Sequence, residues 1–266
     1  MDILETIVAH KKTEVAAAKA KVTIEDLKKQ PFFSRPTLSL KKFLLDETKT
    51  GIIAEFKRKS PSKGIINGNA TVAEVTGAYA KHGASCLSVL TDEKFFGGTP
   101  ADLIEARENN IPILRKDFMI DTYQLYEARA MGADVILLIA ACLTPQQVKE
   151  FAAVAKDLQL EVLLEIHNED ELQHICDEVD FVGVNNRNLK TFEVDINTSL
   201  KLIQHIPSHQ LAIAESGISN VDTIVTLKRA GFKGFLIGEN FMKAPQPSIA
   251  FAEFVRTLQT SLKGGL

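Results

Sequence analysis

From Gly51 onward, the sequence repeats one pattern: a short apolar segment followed by a segment with helical periodicity. The apolar segments resemble buried strands in length and composition, and eight of them begin near Gly51, Ala84, Ile111, Ala133, Glu161, Asp180, Leu211 and Gly234. Successive strands start about 20–33 residues apart, the length of one strand–helix unit with short loops. Eight such units in about 210 residues fit a closed parallel (β/α)8 barrel better than an open sheet.

Helix boundaries within the repeat are marked by capping residues and glycines. Helical periodicity covers residues 71–82, 101–109, 122–131 and 145–158. Candidate caps or first-turn residues are Thr71, Thr99-Pro100, Asp121-Thr122, Thr144-Pro145, Asn168 with Glu171, and Ser219-Asn220. Gly83, Gly132 and Gly231 follow predicted helices, where a left-handed residue is favoured.

The first 48 residues differ from the rest because they predict helices and no strand. Helices are expected over residues 2–20, 22–30 and 38–45. We therefore expect one domain, residues 1–266, with a helical N-terminal extension (1–48) packed on a barrel (49–266).

Composition excludes several classes of protein. The net charge is −3, from 31 basic and 34 acidic residues mixed along the chain, which argues against a nucleic-acid partner. No apolar run is long enough to span a membrane, and charges near the N-terminus argue against a signal peptide. Three scattered cysteines suit a reducing compartment. A cytoplasmic protein without membrane or nucleic-acid partners is expected.

Charged and polar side chains occur at the carboxyl ends of the predicted strands, which form the mouth of such a barrel. Glu55 and Lys57 are two residues apart at the end of the first strand, so their side chains point the same way. A simple ion pair at the strand end is the alternative. The side chains expected to converge on the mouth are Glu55, Lys57, Lys116, Glu165, Asn185, Glu215 and Ser216.

Glu165 is the most informative of these residues, since it interrupts an otherwise aliphatic strand. A carboxylate in that position loses hydration and needs a partner or a chemical task. A structural ion pair inside the barrel remains the alternative for Glu165. Lys116, in the sequence Arg115-Lys116-Asp117, could also belong to an ordinary charged strand end.

A phosphate site is predicted after the seventh and eighth strands. Gly217 and Gly238 permit close backbone approach to an anion, and barrels often bind phosphate there. Arg187 and Lys57 could add positive charge, and Ser60 a hydroxyl. The histidines show no metal-ligand spacing, so no metal site is predicted, and His167 is interpreted as a loop residue. Phe95 could cover an apolar substrate ring, whereas Phe118 could belong to the core.

Six segments together resemble indole-3-glycerol phosphate synthases. They are EFKRKSPS (55–62), SVLTDEKFFGG (88–98), LRKDF (114–118), EIH (165–167), VNNRNL (184–189) and AESGI (214–218). The resemblance implies a TIM barrel whose N-terminal helical extension folds over the catalytic face. It implies conversion of 1-(2-carboxyphenylamino)-1-deoxyribulose 5-phosphate to indole-3-glycerol phosphate, with loss of CO₂ and water, in tryptophan biosynthesis. It also implies that no cofactor or metal is needed.

The resemblance assigns roles residue by residue. Lys116 would be the main general acid, Glu165 would transfer protons during dehydration, and Lys57 would contact substrate anions and share acid work. Glu55 is a candidate base and, with Asn185, would position the hydroxyls and lysines. The remaining substrate-binding residues would be Arg187, Glu215, Ser216, Phe95, Phe118 and Leu189, and the phosphate ligands Ser60, Lys57, Gly217, Gly238 and Glu239. Glu239 stands where many members have Ser, so its side chain or only its backbone could bind phosphate.

Two further expectations concern charge and alternatives. Two neighbouring lysines are expected to lower the pKa of one of them, which would make it a better acid.

The alternative functions are a Schiff-base aldolase using Lys116 or Lys57, and a non-catalytic barrel that binds a phosphorylated ligand. The sister phosphoribosylanthranilate isomerase carries a cysteine where this chain has Glu55 and Lys57. A monomer is expected, while oligomeric state, rate-limiting step and thermal stability stay open.

Overall fold

The computed structural model describes residues 2–189 and 191–264, and within them eight parallel strands close into a barrel. The strands are β1 Ile52–Phe56, β2 Cys86–Leu90, β3 Ile113–Lys116, β4 Val135–Ile139, β5 Glu161–Ile166, β6 Phe181–Asn185, β7 Leu211–Glu215 and β8 Gly234–Ile237. Neighbours along the chain pair in parallel, and β1 pairs with both β2 and β8. The predicted barrel is confirmed, and every strand begins within two residues of its predicted start.

Helices surround this barrel and precede it. They are α1 Ile3–Lys21, α2 Ile24–Lys28, α3 Leu40–Leu45, α4 Val72–Lys81, α5 Glu93–Phe96, α6 Pro100–Ala106, α7 Tyr123–Met131, α8 Pro145–Asp157, α9 Asn197–Leu202, α10 Val221–Ala230, α11 Glu239–Met242 and α12 Pro247–Gly264. Short 3₁₀ helices cover Ala140–Cys142, Glu169–His174 and Ile203–His205. None of the helices in the described ranges combines the length and apolar character needed to cross a membrane.

Three of the six predicted caps are confirmed, and three are not. The side chains of Thr99, Thr144 and Asn220 each accept a backbone N–H in the first turn of their helix. Those of Thr71 and Thr122 make no such bond. Asn168 also lacks one, and the segment after it is a 3₁₀ helix instead of an α-helix. A small hairpin, Lys59–Ser60 paired with Gly64–Ile65, was not predicted; it lies in the loop after β1.

The core forms two layers, one inside the barrel and one between strands and helices. The interior layer contains apolar side chains such as Ile53, Leu114, Leu163 and Phe181, all inaccessible to solvent. The outer layer joins the opposite faces of the strands to the surrounding helices. Because both faces of every strand are covered, alternation of polar and apolar residues is absent until the strands end. Polar residues near the carboxyl ends of the strands therefore stand out from the apolar pattern.

The N-terminal extension contacts both ends of the barrel. Helix α1 lies across the carboxyl ends of the strands, as predicted. Helix α3 lies at the opposite end, where Ser39 Oγ and the Leu40 backbone N–H donate to Glu161, the first residue of β5, at 2.6 Å each. Leu40 and Leu44 join the interior layer. The expectation that the extension covers the catalytic face is thus correct for α1 and wrong for α3, whose leucines fill the other opening.

A buried charge cluster fixes α1 to the barrel. Lys11 is 1% exposed, and its Nζ lies 2.9 Å from carboxylate oxygens of both Asp92 and Asp117. Asp117 also pairs with Arg115 at 3.0 Å. Burial alone would lower the pKa of Lys11, but Asp117 and Asp92 outweigh it and raise that pKa above its ordinary value. Lys11 therefore stays charged and ties α1 to the loops after β2 and β3.

Candidate active site

A cavity of about 190 Å³ opens at the carboxyl ends of the strands and forms the candidate active site. Its polar lining is supplied by Glu55, Lys57, Ser60, Lys116, Glu165, Asn185, Arg187, Glu215, Ser216 and Glu239. All seven side chains expected to converge on the mouth therefore line one cavity. Helix α1 closes it from above with Ile3, Leu4 and Ile7. The cavity combines charged groups at the strand ends with an apolar cover, which suits a ligand with both aromatic and anionic parts.

Lys116, the last residue of β3, lies among carboxylates. Its Nζ is 3.1 Å from Glu165 Oε2 and 3.8 Å from Glu215 Oε2. The other Glu165 oxygen accepts a hydrogen bond of 3.0 Å from the amide of Asn185. Each of these residues ends or nearly ends its own strand, so barrel closure alone brings together groups that are far apart in sequence.

The charge state of Lys116 differs from the prediction. Burial would lower its pKa, but Glu165, Glu215 and Glu55 outweigh this effect and raise the pKa above its ordinary value. The expectation that two neighbouring lysines would lower the pKa of one of them is therefore not met at Lys116. Lys57 Nζ lies 2.7 Å from Glu55 Oε1, so this carboxylate offsets the charge of Lys57. The carboxylates, and not the second lysine, therefore determine the charge state of Lys116.

The two carboxylates beside Lys116 differ in pKa. For Glu165, the effect of burial is outweighed by Lys116, then by His167 and Asn185, and its pKa lies well below the usual range. For Glu215, burial and the neighbouring charge of Glu165 raise the pKa to about 8. Near neutral pH, Glu165 is therefore an anion and Glu215 largely carries its proton, which is the kind of separation that acid–base sites use.

Room for the Glu215 carboxyl group comes from a glycine on the adjacent strand. A Cβ at Gly183 of β6 would lie 2.2 Å from Glu215 Oε1. That oxygen is buried and has no hydrogen-bond partner among the described residues. Gly183 thus has a steric role that its sequence position alone does not reveal.

Glu55 and Lys57 form the ion pair that was the alternative interpretation, and they also line the cavity. Their side chains lie 2.7 Å apart, and Glu55 is almost fully buried. Gly238 packs against this pair, since a Cβ there would lie 2.7 Å from Glu55 Oε1. Gly238 was predicted for phosphate binding, and its contact with Glu55 gives a second reason for a glycine at this position.

His167 was interpreted as a loop residue, and it lies directly after the end of β5, where it contacts two carboxylates. Its Nε2 lies 3.1 Å from Glu165 Oε1, and its Nδ1 lies 3.1 Å from Glu171 Oε2. Burial would lower the pKa of His167, but the two neighbouring carboxylates raise it to about 10. The sequence contained a signal for this contact, because residue 167 follows Glu165 by two positions and so shares its side of the strand.

A second, more polar pocket of about 420 Å³ adjoins the cavity at the ends of β7 and β8. Predicted phosphate-site residues in its lining are Lys57, Gly217, Gly238 and Glu239, with Arg187 and Ser216 beside them. Lys63 and Lys243 also line this pocket and were missed, since both lie outside the strand ends used to find the site. Ser60 lines the Lys116 cavity instead.

Glu239 contributes negative charge to this second pocket. Its carboxylate lies 3.6 Å from Arg187 and 4.0 Å from Lys63. An anion entering here would therefore meet cations that already have a partner. A carboxylate also repels phosphate, so the side chain of Glu239 is an unsuitable phosphate ligand.

Backbone strain occurs at Ser216, between the two pockets. Ser216 has φ +64°, an uncommon value for a residue with a side chain, and Gly217 follows with φ +75°. The buried Asn186 holds this turn, donating from Nδ2 to Ser216 O at 3.1 Å and accepting from the Ser199 hydroxyl at 2.8 Å. Strain of this kind occurs at ligand sites, where it aims a side chain or backbone N–H at a ligand.

The apolar wall of the cavity includes Phe118 and Leu189, two of the predicted contacts. Phe118 therefore faces the cavity, although core packing was the alternative for it. Phe95 is not part of this lining; its ring lies edge-on against His10 of α1, with ring centroids 5.8 Å apart. The adjacent Phe96 takes the predicted place and packs 5.9 Å from Phe118. Helix α5 turns one phenylalanine toward α1 and the other toward the cavity.

Within the described ranges, no group of three or more His, Cys, Asp or Glu side chains is arranged to hold a metal ion.

Comparison with known proteins identifies the family. The family model for indole-3-glycerol phosphate synthase matches residues 4–254. The chain belongs to the indole-3-glycerol phosphate synthase family. An indole-3-glycerol phosphate synthase from Bacteroides thetaiotaomicron is 47% identical over 259 residues, or 97% of this chain and 99% of that protein. One from Polynucleobacter asymbioticus is 45% identical over 262 residues, covering 95% and 98%.

A solved structure agrees with the barrel fold. A chain of a tryptophan synthase complex from Pyrococcus furiosus superposes with a TM-score of 0.59 and 16% identity, over 80% of this chain and 99% of that chain. At such low identity the likeness shows the fold alone.

Membership of the synthase family favours neither the Schiff-base aldolase nor the non-catalytic barrel. It also agrees with the sequence of β1. This strand lacks the cysteine of phosphoribosylanthranilate isomerase and carries Glu55 near its end. Each of the six segments that resembled synthases contributes at least one side chain to the Lys116 cavity.

Proposed function

We propose that the chain converts 1-(2-carboxyphenylamino)-1-deoxyribulose 5-phosphate to indole-3-glycerol phosphate, with release of CO₂ and water, as a carboxy-lyase of tryptophan biosynthesis. Membership of the synthase family over residues 4–254 carries this proposal. The cavity supports it, because it places the half-buried Lys116 among carboxylates, beside an apolar wall and a polar pocket.

In the first step, a ring carbon attacks the ribulose carbonyl and negative charge develops on the carbonyl oxygen. Lys116 is the proposed acid for this oxygen, since its half-buried ammonium group lines the cavity and stays charged. The developing alkoxide is more basic than an amine. An ammonium with a raised pKa therefore still donates its proton to it.

Decarboxylation then breaks the bond between the ring carbon and the carboxyl group, and the electron pair left behind restores the aromatic ring. Dehydration requires a proton on the departing hydroxyl and loss of a proton from the neighbouring carbon. We assign proton transfer in this step to Glu165, with Lys57 as a second acid and Glu55 as a candidate base. Each such group contributes about 10²–10⁴-fold to rate, which is why more than one is expected.

In this proposal, the two pockets bind different parts of the substrate. The phosphate enters the pocket lined by Gly217 and Gly238, and the anthranilate ring lies against Phe96, Phe118 and Leu189. Arg187 and Lys57 supply charge at the boundary, and Ser216 and Asn185 contact the substrate hydroxyls. Backbone groups and not the Glu239 side chain hold the phosphate.

The test is turnover of the purified chain with the carboxyphenylamino-deoxyribulose phosphate, followed by indole fluorescence and by CO₂ release. We expect both signals to rise together at equal stoichiometry. Binding without turnover would favour the non-catalytic barrel. Borohydride-dependent covalent labelling at Lys116 or Lys57 would favour a Schiff-base enzyme.

The proposal extends to location and assembly. A cytoplasmic location suits a biosynthetic enzyme, and Cys86, Cys142 and Cys176 are all free thiols. We propose that the chain acts as a monomer. Light scattering of the purified protein would check this, and a stable dimer would contradict it.

A further inference from the structure

We propose that His167 is a positioning residue of this reaction, whose charged ring keeps the Glu165 carboxylate ionised and turned toward Lys116. This inference rests on the proposed function, because Glu165 is assigned there to proton transfer. His167 itself is absent from the cavity lining, so it acts through Glu165 and not on substrate.

Both ring nitrogens of His167 face carboxylate oxygens. Nε2 lies 3.1 Å from Glu165 Oε1, and Nδ1 lies 3.1 Å from Glu171 Oε2. A neutral imidazole has one N–H, so one of its nitrogens would present a lone pair to an anion. Nδ1 is hydrogen-bonded to Glu171, whereas Nε2 makes no aligned hydrogen bond and meets Glu165 as a close ion pair. The doubly protonated ring avoids a lone pair facing either carboxylate, so the geometry favours an imidazolium.

Glu171 is itself held in place for this contact. Its Oε2 accepts a hydrogen bond of 2.7 Å from the backbone N–H of His167. The 3₁₀ helix Glu169–His174 carries Glu171 back toward the end of β5, which an extended loop would not do. The side chain of His167 is 9% exposed, so water screens the two ion pairs only weakly.

The effect on Glu165 follows from its complete set of donors. Oε1 is approached by His167 at 3.1 Å and by the Asn185 amide at 3.0 Å, while Oε2 is approached by Lys116 at 3.1 Å. Rotating the carboxylate away from this orientation would break at least one of the three contacts. Glu165 is therefore fixed with one oxygen toward Lys116 and the cavity.

The balance of charges among the side chains at the barrel mouth also favours a charged His167 and an ionised Glu165. Because Glu215 is largely protonated near neutral pH, the anions are Glu55, Glu165 and Glu171, and the facing cations are Lys57, Lys116 and His167. Groups that act on this set from other elements include Cys142 after β4, whose thiol pKa is raised to about 12 by burial and then by Glu165, Glu171 and Asp2. Without the charge of His167, the cluster favours protonation of a carboxylate.

The decisive variant is His167→Gln, which keeps an amide N–H and removes the charge. We expect kcat to fall about tenfold or more with KM changed less than about twofold, since substrate contacts remain. The acid limb of the kcat–pH profile should move up by about one pH unit or more, because an opposite charge at this distance shifts a carboxyl pKa by that amount. Urea unfolding of each variant checks that the fold persists.

Glu171→Gln is the second variant, and Glu169→Gln is its matched control on the exposed side of the same 3₁₀ helix. Glu171→Gln should lower the pKa of the His167 ring, and Glu169→Gln should leave that pKa in place. A fall in kcat with an unmoved acid limb in His167→Gln would overturn the inference, as would unchanged kcat.

A readout independent of turnover separates this inference from the proposed function. The ring ¹⁵N signals of His167, assigned by their loss in His167→Gln, should report two protonated nitrogens up to about pH 8 or higher. A neutral ring at pH 7.5 would refute the positioning role. If the wild-type protein fails to form indole product, the proposed function fails, and this titration still decides the state of His167.

Discussion

Lys116 and its carboxylate neighbours determine which groups carry protons before substrate arrives. Lys116 is charged, Glu165 is ionised, and burial with the charge of Glu165 leaves Glu215 largely protonated near neutral pH. One cavity thus holds a charged acid, a base and a neutral carboxylic acid within about one hydrogen-bond length of each other.

Replacing Lys116 tests the centre of this arrangement. In Lys116→Ala we expect turnover to fall at least about 10²–10⁴-fold, because the proton donor and the charge on the developing oxyanion are both lost. The thermal unfolding transition should stay cooperative, since the facing carboxylates can take up protons. Steady-state kinetics and calorimetry measure the two quantities, and substantial residual activity in a folded variant would contradict the assignment.

Gly183→Ala tests the space reserved for Glu215. The new Cβ would lie 2.2 Å from Glu215 Oε1 and 3.0 Å from Leu163 Cδ1, so the carboxyl group has to move. We expect a loss of about 1–3 kcal/mol in the free energy of unfolding and a lower kcat. Gly77→Ala in α4 is the matched control, because its nearest neighbour atom lies 4.0 Å away and alanine should stabilise that helix. Equal behaviour of the two variants in urea unfolding and kinetics would show that the space at Gly183 is irrelevant.

Residue patterns predicted the strand-end groups and missed those that depend on loop geometry. Glu165 and Lys116 could be predicted because a charge inside or at the end of an apolar strand is conspicuous. Which of Phe95 and Phe96 faces the cavity depends on the rotation of the short helix α5. The neighbouring sequence does not reveal that rotation. The contact of His167 with Glu171 depends on the 3₁₀ turn after β5, where an α-helix was predicted.

At the scale of elements, α1 connects the extension to the catalytic loops. Lys11 reaches Asp92 after β2 and Asp117 next to Lys116, so movement of α1 is coupled to the position of the proposed acid. The strands and most helices could be predicted from apolar periodicity and caps. The separation of α1 and α3 to opposite ends could not, because it depends on partners distant in sequence, such as Glu161.

Lys11→Met should destabilise the protein by about 3 kcal/mol or more, since Asp92 and Asp117 lose a buried cation. It should also raise KM, because α1 supplies the apolar cover of the cavity. The adjacent, exposed Lys12 provides the control Lys12→Met, which should change neither quantity. Urea unfolding, limited proteolysis of α1 and substrate titration measure these effects; equal stability of the two variants would argue against the anchoring role.

For the whole molecule, stability should fall as pH rises from about 6.5 to 9. Glu215 has its pKa raised to about 8, and His167 to about 10, so both bind protons more tightly in the folded state. The stability linked to each is complete below its ordinary pKa and is lost as pH rises through the folded value. Glu165, with a lowered pKa, contributes in the opposite sense, and that contribution disappears only in acid.

The measurement is the free energy of unfolding in urea at several pH values between 6.5 and 9.5. We expect a steady decrease in the wild type and a shallower slope around pH 8 in Glu215→Gln. A stability that increases over this range would mean that neither group keeps its proton in the folded barrel.

The two attachments of the extension also impose an order on biosynthesis. Ser39 binds Glu161, 122 residues further along the chain, and Lys11 binds Asp92 and Asp117. The extension is synthesised before the barrel, and it therefore has no complete docking surface until β5 has been made. Its apolar stripes stay exposed during that interval, when the growing sheet still has open edges. Docking of the extension comes late in synthesis, even though the segment is made first.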